Sequence, residues 1–137
     1  MIVYVDTSVV LRHLLGQPNV LDWSDWESAY SNEVLGLEGR RAIDRLRLES
    51  VLDDAGVAEA HEELARIERH IGQIPLVRPL LRRASLPMPT VVKSLDAIHL
   101  TSALMLQEAK RVPVTFATHD IQQAIAARSL GFAVLGS

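Results

Sequence analysis

Short runs of β-branched and aromatic residues alternate with longer amphipathic stretches along the whole chain, and this alternation sets the fold class. Ile2-Val3-Tyr4-Val5 reads as a buried strand. Asp6-Thr7-Ser8 follows and can cap a helix over Val9 to Leu15, which Gly16 ends. Asp22 to Tyr30 reads as a short helix, and a longer one is expected from Glu33 to Leu48 with Ser31 or Asn32 as its cap. Asp53 to Gly56 breaks the pattern before a helix from Val57 to Ile71, with Gly72 as the stop. Ile74-Pro75-Leu76-Val77 reads as a short strand, its proline marking an edge or a strand start. Pro79 to Leu86 is a further short helix, and Ser94 caps a helix from Leu95 to Ala109. Val114 to Ala117 is a strand, Ile121 to Leu130 a helix closed by Gly131, and Phe132 to Leu135 the last strand. Strands separated by helices pair in parallel, with helices over both faces. The expected class is therefore α/β: a three-layer α/β/α sandwich around a parallel sheet of four to five strands.

With 137 residues, 48% of them apolar, the chain suffices for one core, and residues 1–137 are read as a single domain. It has no cysteine, which removes disulfides and thiolate metal ligands and suits a reducing cytoplasm. No apolar run approaches the ~20 residues of a membrane helix. The opening residues lack a basic region, so a secretory leader is not expected and a cytoplasmic location is. The net charge of −3 does not suit a protein that clamps phosphate backbones by bulk charge. A site built from carboxylates would itself pull the total down.

Four carboxylates stand out by position. Asp6 follows the first strand and Asp120 the Val114 strand, where open parallel sheets bind ligands. The plain alternative for each is a helix N-cap. Glu38 lies inside the apolar stripe of Val34, Leu35, Ala42, Ile43 and Leu46, where a lone carboxylate must be paired or bind a cation. Its plain alternative is a salt bridge to Arg41 or Arg45. Asp96 sits in the first turn of a helix apolar on nearly all sides, where an acid also complements the helix dipole. Such acids, brought to one sheet edge, repel one another unless a cation joins them. Mg²⁺ and Mn²⁺ prefer carboxylate and water oxygens, and such sites drive in-line attack of water at phosphorus.

Val5-Asp6-Thr7-Ser8, the run Ser31 to Glu38 with Arg40 and Arg41, Leu95-Asp96-Ala97-Ile98-His99-Leu100-Thr101-Ser102-Ala103, and Thr118-His119-Asp120 with Gly131 downstream match a known pattern in order and approximate spacing. Over nearly its whole length the chain resembles the PIN-domain nucleases, especially the VapC-type toxins of VapBC toxin–antitoxin systems. The resemblance implies a PIN-like sandwich, a Mg²⁺ or Mn²⁺ site and endonucleolytic cleavage of RNA, with tRNA or ribosomal RNA as typical targets. It also implies a VapB-like antitoxin partner and a homodimer. It places metal-binding and catalytic roles on Asp6, Glu38, Asp96 and Asp120, with Asp6 and Asp96 holding the first ion most directly. Ser8 and Thr118 match positions that orient a carboxylate or a water. His119 departs from the pattern, which favours an aromatic residue there, and is expected to be exposed in a loop.

His99, one turn after Asp96, reads as a packed residue or one behind the ligands, because hard cations rarely need imidazole. Trp23 and Trp26 read as a hydrophobic face, or as an interface anchor. Arg40, Arg41, Arg45 and Arg47, and separately Arg78, Arg82 and Arg83, could contact RNA phosphates or serve local salt bridges. A phosphatase of the haloacid dehalogenase type needs an aspartate two residues after the first, where this chain has Ser8. A receiver domain needs an acid pair near its start, which is absent. A PIN-fold scaffold or RNA-binding protein without activity is the remaining alternative.

Overall fold

The computed structural model describes residues 1–137. The strands are β1 (Ile2–Val5), β2 (Ser28–Asn32), β3 (Gly72–Ile74), β4 (Val114–Ala117) and β5 (Ala133–Leu135). The helices are α1 (Thr7–Leu14), α2 (Val34–Leu48), α3 (Asp54–His70), α4 (Arg78–Ala84), α5 (Ser94–Lys110) and α6 (Ile121–Ser129). The five strands form one parallel sheet in the order β3-β2-β1-β4-β5. The fold is therefore α/β, with helices on both faces of the sheet. No helix is long and apolar enough to cross a membrane.

Alternation along β1 builds both cores. Val3 and Val5 face one side and join Val9, Leu35, Ile43, Leu64 and Ile67 from α1, α2 and α3. Tyr4 faces the other and joins Leu100, Leu106, Phe116, Ala127 and Phe132, drawing in α5 and α6. Tyr4 stacks on Phe116 at 5.4 Å between ring centroids. A central strand buried on both faces reads as a continuous apolar run, as Ile2 to Val5 does.

The connections explain where a ligand can bind. From β1 the chain steps outward through β2 to β3, then returns to β4 and steps outward the other way to β5. The direction reverses between β1 and β4. Helices leave their carboxyl ends on opposite faces, which opens a crevice at that switch point. Asp6 and Thr118 are the first residues past those two strands, and the backbone holds them in register through Asp6 N–H donating to Ala117 O at 2.9 Å.

Several local expectations are corrected. Asp22 to Tyr30 is not a helix: residues 22–27 are irregular with a turn, and Ser28 to Tyr30 belong to β2. Trp26 N–H donates to Trp23 O there, and the two rings stack at 4.9 Å against the first core. β2 reads Ser-Ala-Tyr-Ser-Asn and is stabilised by pairing on both sides rather than by apolar content. The third strand lies at Gly72–Ile74, not Ile74–Val77, so Pro75 falls just past an edge strand where no ladder bond is lost. Asn32, not Ser31, serves α2, its Oδ1 accepting the Val34 N–H at 2.9 Å. Ser94 is the first residue of α5 rather than its cap.

Gly72 is required by contact. It pairs with Tyr30, and a Cβ at position 72 would overlap the Tyr30 ring. Substituting Gly72→Ala is expected to cost about 1–3 kcal/mol from overpacking. Urea denaturation measures this, and an unchanged midpoint would show that the Tyr30 ring can move aside.

Candidate active site

Asp6, Glu38, Asp96 and Asp120 line one cleft of about 330 Å³, together with Thr7, Ser8, Leu11, Arg41 and Arg45. Asp6 leaves the end of β1, Glu38 the second turn of α2, Asp96 the first turn of α5, and Asp120 the cap of α6. Residues far apart in sequence meet because each stands at a carboxyl end of the sheet or on a helix beginning there.

Asp6 is 5% exposed. It occupies the cap position of α1, yet its side chain makes no capping bond. Its Oδ2 instead accepts the Ser8 hydroxyl at 2.7 Å and the Thr118 hydroxyl at 2.8 Å. Both hydroxyls are fixed in turn: Ser8 Oγ accepts the His119 N–H, and Thr118 Oγ1 accepts the Asp120 N–H, each at 3.0 Å. With its proton given to Asp6, each hydroxyl has only acceptor capacity left. One carboxylate oxygen is thus locked, while Oδ1 keeps only a 3.9 Å approach from His99 Nε2.

Glu38 meets no arginine. Its Oε1 accepts the Thr7 hydroxyl at 2.9 Å and lies 2.6 Å from His99 Nε2. Of the neighbouring arginines, Arg40 pairs with Glu68 and Arg47 with Asp44. His99 is 1% exposed, and its Nδ1 lies 2.7 Å from the Tyr4 hydroxyl. That hydroxyl accepts the Asn32 N–H at 3.0 Å, and Asn32 Nδ2 donates to Ser102 Oγ. A buried polar line therefore runs from β2 through Tyr4 and His99 to Glu38. Burial opposes charge on the imidazole, but the Glu38 hydrogen bond and the charges of Asp6, Glu38 and Asp96 outweigh it and raise the His99 pKa. Burial raises the Tyr4 pKa, so the phenol stays neutral.

Asp96 receives no hydrogen bond on its carboxylate; only its backbone carbonyl is engaged, by Gln123 Nε2. Its pKa is raised by burial first, then by the negative charges of Asp6, Asp120 and Glu38, with His99 partly offsetting them. The three other acids thus all lie close enough to oppose ionisation of Asp96. Asp120 realises its plain alternative: it is exposed and caps α6 by accepting the Gln123 N–H at 3.1 Å. His119 is half-buried rather than loosely exposed, its Nδ1 lying 2.9 Å from Gly136 O.

No lysine or arginine forms an ion pair with any of the four acids. Nor do three acid or histidine side chains stand together at chelating distance. Glu38 is turned toward His99, and Asp120 toward its own helix. The cleft is lined by carboxylates, with one oxygen of Asp6 and both of Asp96 unengaged.

The chain is 28% identical over 131 residues to Ribonuclease VapC47 of Mycobacterium tuberculosis (strain CDC 1551 / Oshkosh), covering 95% of this chain and 93% of that protein. No family model matches. The similarity covers nearly the whole chain, so it is not confined to one motif.

Sequence reasoning missed two residues of the site. Thr7 stands in the capping run and in the Val5-Asp6-Thr7-Ser8 motif with no role of its own, yet it donates to Glu38. Tyr4 read as a core aromatic, and its hydroxyl fixes His99. Neither carries a local signal, because each acts through a partner at least 31 residues away. Replacing Tyr4 with Phe leaves the Asn32 N–H and His99 Nδ1 buried without that partner, at an expected cost of about 1–3 kcal/mol. Denaturant titration measures it, and a neutral result would mean that water replaces the hydroxyl.

Proposed function

We propose that this chain is a PIN-type, Mg²⁺- or Mn²⁺-dependent endoribonuclease and the growth-inhibiting toxin of a VapBC pair. The observation that carries the reading is the cleft at the β1/β4 switch point, lined by Asp6, Glu38, Asp96 and Asp120 with no lysine or arginine paired to them. The similarity to Ribonuclease VapC47 along nearly the full chain supports the same reading. A VapB-like antitoxin as partner, a tRNA or ribosomal RNA as substrate, homodimer assembly and a cytoplasmic location belong to the proposal.

The donor set fits a hard divalent ion. All four side chains offer oxygen, Asp6 Oδ1 and the Asp96 carboxylate are unengaged, and the carboxylate repulsion that raises the Asp96 pKa is relieved by a cation. Asp6 and Asp96 would hold the ion, with Glu38 and Asp120 completing the set once released from His99 and the α6 terminus. When bound, the ion lowers the pKa of the attacking water and neutralises charge on the phosphoryl oxygens. The chain's own residues do the positioning. Ser8 and Thr118 fix the Asp6 plane, while Thr7 and His99 hold Glu38 at the cleft wall. His99 also stands beneath the acids, its pKa raised by Glu38, Asp6 and Asp96 against the opposing effect of burial.

Purified protein should cleave RNA with Mg²⁺ or Mn²⁺ and stop on addition of EDTA. Asp6→Asn and Asp96→Asn should abolish cleavage while circular dichroism shows an intact fold; cleavage persisting in both would place the chemistry elsewhere. Ser8→Ala and Thr118→Val should lower activity by about 10–100-fold, the usual effect of removing a group that orients a ligand. Expression alone should arrest bacterial growth, and the small protein encoded beside it should relieve the arrest. A harmless product would contradict the toxin assignment.

A further inference from the structure

The nuclease reading leaves one requirement unmet by the four acids. A phosphodiester strand is a polyanion, and a cleft lined with carboxylates repels it. Even with the reacting phosphate neutralised, neighbouring phosphates need donors to fix the strand's register. The chain cannot supply these through bulk charge, which is −3. Specific cations near the cleft are needed.

The ion pairs sort the arginines. On α2, Arg40 is held by Glu68 at 2.6 Å and Arg47 by Asp44 at 2.8 Å, with Arg41 3.8 Å from the same aspartate. Arg83 is held by Glu108 at 2.6 Å. Arg45 has no carboxylate partner, although Asp44 and Glu49 are close in sequence, and its side chain lines the acid cleft. The cleft also opens into a groove of about 980 Å³ bounded by Glu38, Arg45, Lys93, Asp96, Asp120 and Gln122. Lys93 caps the backbone start of α5, three residues before Asp96, and it too has no carboxylate partner. Arg45 belongs to the α2 side of the sheet and Lys93 to the α5 side. One unpaired cation is therefore carried by α2 and one by the start of α5, and both line the groove that holds Glu38, Asp96 and Asp120.

We propose that Arg45 and Lys93 are phosphate-positioning residues that hold the strand on either side of the bond to be cut. This rests on the nuclease reading above. The two cations fix where the backbone enters and leaves, and the acids act on the phosphate between. Arg45 presents a planar fork suited to two phosphate oxygens, and Lys93 a point charge on a flexible stem.

The test measures binding apart from cleavage. In an Asp6→Asn background, with EDTA in place of divalent ions, a fluorescein-labelled oligouridylate is titrated by anisotropy between about 50 and 200 mM salt. Each phosphate contact removed from a single strand should reduce the slope of log K against log salt by about 0.7. Arg45→Gln and Lys93→Gln should each show that reduction, and the double variant about twice it. Arg45→Lys should keep the slope, because it keeps the charge. Arg82→Gln, at an arginine with no carboxylate partner and outside the groove, should match the parent. In the otherwise wild-type enzyme the two Gln variants should raise KM more than they lower kcat. RNA binding with an unchanged slope in the double variant would overturn the assignment and leave the nuclease reading standing. A protein that neither binds nor cleaves RNA would overturn both.

Discussion

The rest of the structure turns on one carboxylate. Asp6 lies just past the end of β1, beside β4, at 5% exposure, with no lysine or arginine paired to it and only His99 Nε2 at 3.9 Å. A charge in such a place is costly unless hydrogen bonds replace its water. Ser8 and Thr118 do so at one oxygen, and the backbone N–H groups of His119 and Asp120 fix the two hydroxyls. The arrangement ties α1 to the loop after β4 and so closes the switch point of the sheet. It leaves the second oxygen of Asp6 facing the cleft. A residue whose only task was to cap α1 would bond the helix's N–H groups, and Asp6 does not.

The other three acids differ from Asp6 in how far they are committed. Glu38 is bound to Thr7 and His99, and Asp120 to the start of α6, whereas Asp96 is unengaged. Glu38 and Asp120 are therefore partly met by hydrogen bonds within the chain. His99 is central to that balance, a buried imidazole whose raised pKa comes from the acids around it. The line from Asn32 through Tyr4 holds the ring from behind. On this account a divalent ion does not enter a finished chelate. Glu38 would have to leave its contacts with Thr7 and His99 to join such an ion.

Much of this was legible in the sequence. The parallel α/β architecture followed from the alternation of Ile2 to Val5, Val114 to Ala117 and the helices between them. The four acids were visible because each breaks a local rule or ends a strand. What sequence could not show was β2, whose polar Ser28–Asn32 has no apolar alternation and is stabilised by neighbours on both sides. The same limit hid the partners of Glu38. Arg41 and Arg45 lie close along α2, but the side chain turns to Thr7 and His99 instead, and only the tertiary fold brings those within reach. The sorting of arginines had the same cause: Arg40 is taken by Glu68, 28 residues on, leaving Arg45 at the cleft.

The claim that the carboxylates of the cleft share a divalent ion is tested most directly by Mn²⁺ binding to the purified protein, followed by the loss of the free-ion electron paramagnetic resonance signal. The account predicts saturable binding by the wild-type chain that is lost in both Asp6→Asn and Asp96→Asn while each remains folded. Mn²⁺ binding that is unaffected by either substitution, or absent from the wild-type protein, would contradict it.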